Sequence, residues 1–577
     1  MFRLLLICCL TLFLVACNPN TQAGETPQLI QSILSEPKTF NPVLSVESPN
    51  IFPLTFQGLV TENPITAEIE PALAESWEFS EDKLRLTFTL RQGLQWSDGH
   101  PLTVDDVVFS YNLLYLNPEI PSSTRDILRI GTNQELPQVS KVDDRRVAFT
   151  IPEPFAPFLA ATSISILPAH ILQPTLTKRD SEGRPQFMSF WGVDTPPEKL
   201  VANGPYQLES YNTSQRVIFK RNPYYWKKQV TGENIPQIER VIWQVVESTD
   251  TAVLQFRSGQ LDALGISPEY FSLLKREENR GNFNIYNGGP AYGMSFISFN
   301  LNQGRRDGVP LVDPIKSRWF NEVNFRQAIA HAIDRDRMIN NIFRGIGSPQ
   351  NSPISVQSPF YDQTIEGYEF NQEKAKALLL QAGFKYNSNG ELLDDQNNRV
   401  QFTLITNAGN KIREAMSAQI KEDLSKIGIK VDVNPIAFTL IVDQLSNSLK
   451  WECVLLSIGG GNEPNFGANV WSPDGNLHMF NQQARGEQDP LEGQIVSPWE
   501  EKIGKLYIEG ARELDLTKRK AIYNQTQRLA VEYLPFIYLV NPLSLTAVRN
   551  RFTGIQYSAL EGPFWNIEEI GLEDVIN

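Results

Sequence analysis

The chain has 577 residues, of which 41% are hydrophobic and 20% charged, and its formal net charge is -14. At roughly 100 to 200 residues per domain this length supports about three or four folding units, and the ordinary composition excludes a fibrous or largely disordered chain. The acidic balance argues against nucleic acid as a partner, because a phosphate backbone demands concentrated Lys and Arg.

Met1-Phe2-Arg3 supplies a positive n-region, and Leu4 to Val15 is an apolar run too short to span a bilayer as a helix. Residues 1–16 are therefore expected to be a signal peptide. Leu14-Val15-Ala16-Cys17 resembles a bacterial lipobox, which implies acylation of Cys17 and a membrane anchor stabilised by several acyl chains. Of the four cysteines, Cys8 and Cys9 leave with the signal and Cys17 is modified, so Cys453 alone remains and no disulfide within one mature chain can form. Residues 17–27, with their Asn, Pro, Thr and Gly, predict a short tether.

Leu29 to Leu34 is the first strand candidate, and Phe52, Phe56 and Leu59 suggest a short helix. The stretch Ile69 to Tyr111 is the most informative. Leu84, Leu86, Phe88 and Leu90 alternate with polar residues, the period of a half-buried strand. Gln92-Gly93 and Asp98-Gly99 read as turns, and Pro101 should end pairing. Thr103 followed by Asp106 forms an acidic capping box that starts a helix near Val104. Further strands are predicted at Val147 to Ile151, Gln215 to Arg221 and Val241 to Val246, and a helix at Leu167 to Leu172. Ser248 or Asp250 can cap a helix that ends at Gly259.

Phe325, Ala328, Ile329 and Ala332 share one helical face, as do Ala375, Leu378, Leu379 and Ala382 before Gly383. Phe402 to Ile405 reads as strand, Ile412 to Ile427 as helix, and Ile429, Val431 and Val433 as strand again. That is a βαβ unit, so its strands should be parallel. The loop Asn407-Ala408-Gly409-Asn410 then sits at a strand's carboxyl end and a helix's amino end, where open α/β sheets bind ligands and helix N–H groups favour an anion. Glu452 to Ile458 is a buried strand candidate running into Gly459 to Pro464; if parallel to the first, both loops open on one edge. Helices are expected from Leu506 onward and from Asp515 to Tyr533, then a strand from Phe536 to Val540.

Several of these runs together resemble the family 5 extracellular solute-binding proteins of peptide-type ABC importers. The residues are Leu73-Ala74-Glu75-Ser76-Trp77, Phe88-Thr89-Leu90-Arg91, Trp96-Ser97-Asp98-Gly99 and Asp105-Asp106-Val107. Ala202 to Tyr206, Asn222 to Trp226, Phe256 to Asp262, Phe325 to Ala328, Ala332 to Arg335 and Leu534 to Leu539 extend the likeness over nearly the whole mature chain. The resemblance implies an α/β, type II periplasmic-binding-protein fold of two lobes with an inserted subdomain. On that basis lobe 1 is expected from residues 28–60, 200–290 and 541–577, the inserted subdomain from 61–199, and lobe 2 from 291–540. It also implies an exported, monomeric protein that captures oligopeptides or peptide-like solutes for a membrane permease, with no cofactor. The alternatives it leaves are a non-peptide solute (a nickel chelate, haem or sugar) or a secreted hydrolase.

In the peptide-binding relatives an aspartate after a second-lobe strand holds the ligand's α-amino group. Aligning Asn462-Glu463-Pro464 with that loop puts Gly460 at the aspartate position, with Glu463 as a substitute or as a structural loop residue. Asn407, Asn410 and Arg413 are candidates for the ligand's other end, since guanidinium pairs bidentately with carboxylate. Tyr292 and Trp471 are candidate aromatic walls. A hydrolase reading lacks its constellation: His100, His170, His331 and His478 have no metal-ligand spacing, and neither a G-x-S-x-G elbow nor a P-loop occurs.

Overall fold

A computed structural model describes residues 27–45, 50–122, 124–231, 235–484 and 488–573. The expected signal peptide, Cys17 and residues 17–26 of the tether lie outside the described residues.

Two large sheets organise the molecule. The first, of eight strands, runs in the order Phe283–Pro290, Val540–Arg549, Ala263–Gly265, Gln28–Ile33, Arg240–Val245, Arg216–Arg221 and Tyr206–Asn212, with Gly347–Pro349 paired to the start of Val540–Arg549. The second, of five strands, runs Lys430–Ile436, Gln401–Asn407, Cys453–Ile458, Met294–Phe299 and Phe536–Tyr538. A smaller four-stranded antiparallel sheet holds Ala74–Phe79, Arg85–Leu90, Arg146–Thr150 and Gln138–Lys141. Its alternation is the one expected, with Leu86, Phe88 and Leu90 buried. Cys453, in the middle of the five-stranded sheet, is fully buried.

The conspicuous motifs turn out to be joints. Thr103 caps the helix Val104–Phe109, and the Asp106 carboxylate accepts the Thr103 N–H at 2.8 Å. Ser97 exchanges two bonds with Ala202, its N–H to the Ala202 carbonyl at 2.8 Å and its Oγ accepting the Ala202 N–H at 3.0 Å. Asp98 meets His170 at 2.9 Å. Asn222 donates to the Gly204 carbonyl at 2.9 Å, and a Cβ on Gly204 would lie 2.7 Å from the Thr55 backbone. Three sequence motifs thus converge to weld the small sheet onto the first large one, and one continuous apolar core holds Leu29, Phe88, Trp96 and Phe219.

Arg326 and Arg335, in the second-lobe motifs, are buried and point at backbone carbonyls. Arg326 donates to the Tyr533 carbonyl, tying the helix Val323–Ala332 to the end of the helix Leu516–Tyr533, and Arg335, at the start of the helix Arg335–Asn341, donates to Tyr538 in the strand Phe536–Tyr538. Burial without a carboxylate partner pushes both guanidinium groups down to about 10.

Three local expectations are corrected. Pro101 does not end pairing: it stands opposite Gln95 in an antiparallel bridge made by the Trp96 N–H to His100 O at 2.8 Å and the Leu102 N–H to Leu94 O at 2.9 Å, bonds that need no N–H from the proline. The helix expected at Leu167 to Leu172 runs Ala169–Thr177, displaced past Pro168 because a residue before proline avoids helical backbone. The helix expected from Leu506 starts at Pro498, behind a capping box of Ser497 and Glu500.

The chain crosses between the two large sheets along two adjacent segments. Phe283–Pro290 pairs with Val540–Arg549 in one sheet, and Met294–Phe299 pairs with Phe536–Tyr538 in the other. Between them the Ala291 N–H donates to Pro542 O at 3.0 Å, Asn541 Nδ2 donates to Ala291 O at 3.0 Å, and the Leu539 N–H donates to Ser295 O at 2.9 Å. The crossing is a single antiparallel ribbon.

Candidate ligand-binding cavity between the lobes

The βαβ unit forms as its periodicity dictates: Gln401–Asn407 and Lys430–Ile436 are parallel, joined by the helix Lys411–Ser425. Cys453–Ile458 is also parallel to Gln401–Asn407, whereas Met294–Phe299 is antiparallel to it, with Met294 opposite Ile458. The loops after Asn407 and Ile458 and the entry at Tyr292 therefore share one edge of the sheet.

At one corner of that edge Asn410 caps the helix by accepting the Arg413 N–H at 3.0 Å, and Arg413 Nη1 donates to Asn407 Oδ1 at 2.7 Å. Burial lowers the Arg413 guanidinium below its ordinary value. At the other corner Gly460 lies flat on the neighbouring chain, where a Cβ would come 2.2 Å from the Tyr292 carbonyl oxygen. No side chain fits there, which accounts for the glycine without reference to a ligand. Glu463 caps the turn Pro464–Gly467 through the Asn465 N–H at 2.9 Å and pairs with Arg519 at 2.5 Å, both side chains being under 10% exposed. Arg519 also donates to the Gly510 carbonyl at 2.8 Å and lies over the Phe360 ring.

From this edge Asn462 crosses to the first lobe, donating through Nδ2 to Glu62 Oε1 at 2.6 Å. The bond closes one side of a cavity of about 720 Å³, a size in the range of small-molecule sites. The first lobe supplies most of its wall, including Phe56, Glu62, Glu561 and Trp565; the second supplies Gly461, Asn462, Glu463 and Phe466. A second, smaller cavity of about 300 Å³ lies between the small sheet's body and the second lobe. Beside it Arg512 grips Glu153 with two bonds of 2.6 Å, and Ala156 N–H donates to Ala511 O at 2.7 Å.

The eight expected site residues therefore separate. Asn462 and Glu463 line the large cavity. Gly460 and Tyr292 sit immediately behind it; Tyr292 is 8% exposed, and burial with the nearby Glu62 charge raises its hydroxyl. Asn407, Asn410 and Arg413 satisfy one another and are absent from the lining. Trp471 is corrected from a ligand wall to core: it is 4% exposed, stacked parallel to Tyr507 and edge-on to Phe536. An aromatic residue near a loop carries no sequence mark distinguishing the two roles.

Sequence reasoning missed the first-lobe carboxylates. Glu62 is half-buried and Glu561 stands exposed on the cavity wall. Desolvation pushes both carboxyls above their ordinary range, and repulsion adds to it, from Glu463 on Glu62 and from Glu62 on Glu561. Neither residue stands in a motif or a periodic pattern.

Among the described residues, no helix is long and apolar enough to cross a membrane, and no three His, Cys, Asp or Glu residues converge to hold a metal ion.

The geometry matches known proteins along most of the chain. The model of the bacterial extracellular solute-binding proteins, family 5 Middle, matches residues 68–487. A probable ABC transporter-binding protein of Deinococcus radiodurans is 31% identical over 546 residues, covering 90% of this chain and 87% of its own. Among solved structures, the oligopeptide-binding protein AppA of Bacillus subtilis, in complex with a nonapeptide, superposes with a TM-score of 0.72 at 22% identity, over 95% of this chain and 99% of its own. NikZ of Campylobacter jejuni in complex with Ni(L-His) gives 0.73 at 22% identity and the same coverage. The fold is thus the mixed α/β periplasmic-binding-protein fold expected from the motifs. On the extent of the family match and the identity to the Deinococcus protein, the chain belongs to the bacterial extracellular solute-binding proteins, family 5.

Proposed function

We propose that this protein is the solute-capturing component of an ABC importer, enclosing an oligopeptide or peptide-like solute between its lobes and presenting it to a membrane permease. The observation that carries the reading is the 720 Å³ cavity walled by both lobes and bridged by the Asn462–Glu62 bond. A ligand seated there contacts both walls at once, so its binding energy favours the closed arrangement over the open one. The peptide-bound relative AppA and the name of the Deinococcus protein support the assignment.

In this reading the body divides as the motifs imply: residues 28–60, 200–290 and 541–577 form one lobe, 61–199 its inserted subdomain, and 291–540 the other. Cys17 carries the lipid anchor on the outer side of a bacterial membrane, and the protein works as a monomer and binds without turnover. Asn462 and Glu463 form the second-lobe face of the site, with Gly460 and Tyr292 directly behind them, while Asn407, Asn410 and Arg413 hold a separate corner of the same sheet edge. The equal fold similarity to a nickel–histidine binder keeps a small chelate as the second reading.

The test is native mass spectrometry of the full protein incubated with a defined peptide mixture. Retained, uncleaved peptides are the expected result. A single non-peptide mass carried through purification supports the chelate reading, and cleaved peptides overturn binding without turnover.

A further inference from the structure

We infer that the solute carries an aliphatic chain ending in an ammonium group, seated between Glu62 and Glu561 on the first-lobe wall. The inference rests on the large cavity being the solute site. The charged residues lining it are Glu62, Glu70, Glu463, Glu561, Glu568 and Glu569 against Lys227. Two of these glutamates are neutralised by the protein: Glu463 by Arg519 and Glu568 by Lys227, each at 2.5 Å. Glu62 has only the neutral Asn462 amide, and among the described residues neither Glu62 nor Glu561 has a cation within ion-pair distance. Two carboxylates that line one cavity and have no cation partner among the described residues are a cost that a ligand cation offsets on arrival.

A separate observation points the same way. Asn566, 2% exposed, lines the same cavity, and its Oδ1 has no hydrogen-bond partner, while its Nδ2 donates to Gly554 O at 3.1 Å. Beside the two carboxylates the pocket therefore holds one buried carbonyl oxygen without a donor, a group that an ammonium with three N–H bonds satisfies. The absence of a metal-holding cluster among the described residues favours an organic cation over a bare ion. Phe466, 38% exposed, and Trp565, whose Nε1 is held by Gln556 O at 2.7 Å, add apolar faces for the methylene stem. A lysine side chain within a peptide and a free polyamine share this chemistry.

The test is calorimetry on the full protein, freed of bound solute by unfolding and refolding, with tri-lysine, tri-alanine, tri-glutamate and spermidine as probes. Tri-lysine is expected to bind at least roughly tenfold more tightly than tri-alanine, and tri-glutamate more weakly than either. In Glu62→Gln and Glu561→Gln, which keep side-chain shape, the ratio of tri-lysine to tri-alanine affinity should fall by about tenfold; thermal melts of both variants verify that they fold. Equal affinity for tri-lysine and tri-alanine, or a ratio unmoved by both substitutions, overturns the inference and leaves the peptide reading standing. Binding of spermidine alone upholds the cation and overturns the peptide. Binding of none of the four overturns both.

Discussion

The two walls of the large cavity handle the same functional group in opposite ways. On the second lobe Glu463 is buried, caps a turn and is neutralised by Arg519; on the first lobe Glu62 and Glu561 face the cavity with no cation partner among the described residues. A carboxylate whose charge is already paired contributes to holding the loop, and one left unpaired is free to engage what enters. In the proposed reading the acidic residue nearest the expected anchoring position serves the scaffold, and the charge available to a solute stands on the opposite wall.

That contrast breaks most readily at Glu463. Glu463→Ala leaves Arg519 buried and unpaired and should destabilise the protein by about 3–5 kcal/mol, read as a lowered urea midpoint; a loss under about 1 kcal/mol would put this carboxylate with the solute instead. Gly460→Ala comes next. Its Cβ must displace the Tyr292 backbone, so a cost of about 1–3 kcal/mol is expected in the same measurement, together with weaker solute binding as the Asn462 loop shifts.

Titration sharpens the comparison from the other wall. Glu62 faces Asn462, Glu463, Tyr292 and Glu561, and its carboxyl, like that of Glu561, is raised in the folded state. The folded protein therefore binds more protons than the unfolded chain between the ordinary and the raised values, so these two groups add stability as pH falls through that window and lose it as pH rises. Affinity for tri-lysine should change the opposite way, declining as the carboxylates protonate. Melting temperature and calorimetric affinity followed over the same pH series should thus diverge for the native protein and cease to diverge in the Glu62→Gln, Glu561→Gln double variant. The smallest effect is expected at Arg413: its partner is Asn407, so Arg413→Ala should leave solute affinity unchanged and cost about 0.5–1.5 kcal/mol of stability for the lost bond. A clear loss of affinity would return the Asn407 corner to the binding surface.

Much of the fold was legible because it is written in local periodicity. The alternation at Leu86, Phe88 and Leu90, the capping pair Thr103 and Asp106, and the strand–helix–strand pattern from Phe402 to Val433 each specify their own backbone. Strand-end topology also pointed to the Asn462 loop. What periodicity cannot carry is which residues meet across the cavity. Glu62 and Asn462 are 400 positions apart and touch only after both lobes have formed. Likewise Glu463 is one residue in a polar loop until the helix Leu516–Tyr533 brings Arg519 beneath it. The motifs themselves proved informative about assembly: Ser97, Asn222, Arg326 and Arg335 hold backbone with their side chains and Gly204 lets two backbones meet, and none of the five lines the cavity.

The paired ribbon joining the lobes sets what the membrane partner can sense. Two strands hydrogen-bonded through Ala291, Asn541 and Pro542 bend and twist with their bonds intact, but sliding one along the other would break them. The ribbon therefore favours rotation of one lobe against the other over sliding between them. Whatever occupies the cavity is translated into a relative orientation of the lobes, and a permease need only gauge that orientation to tell a loaded carrier from an empty one.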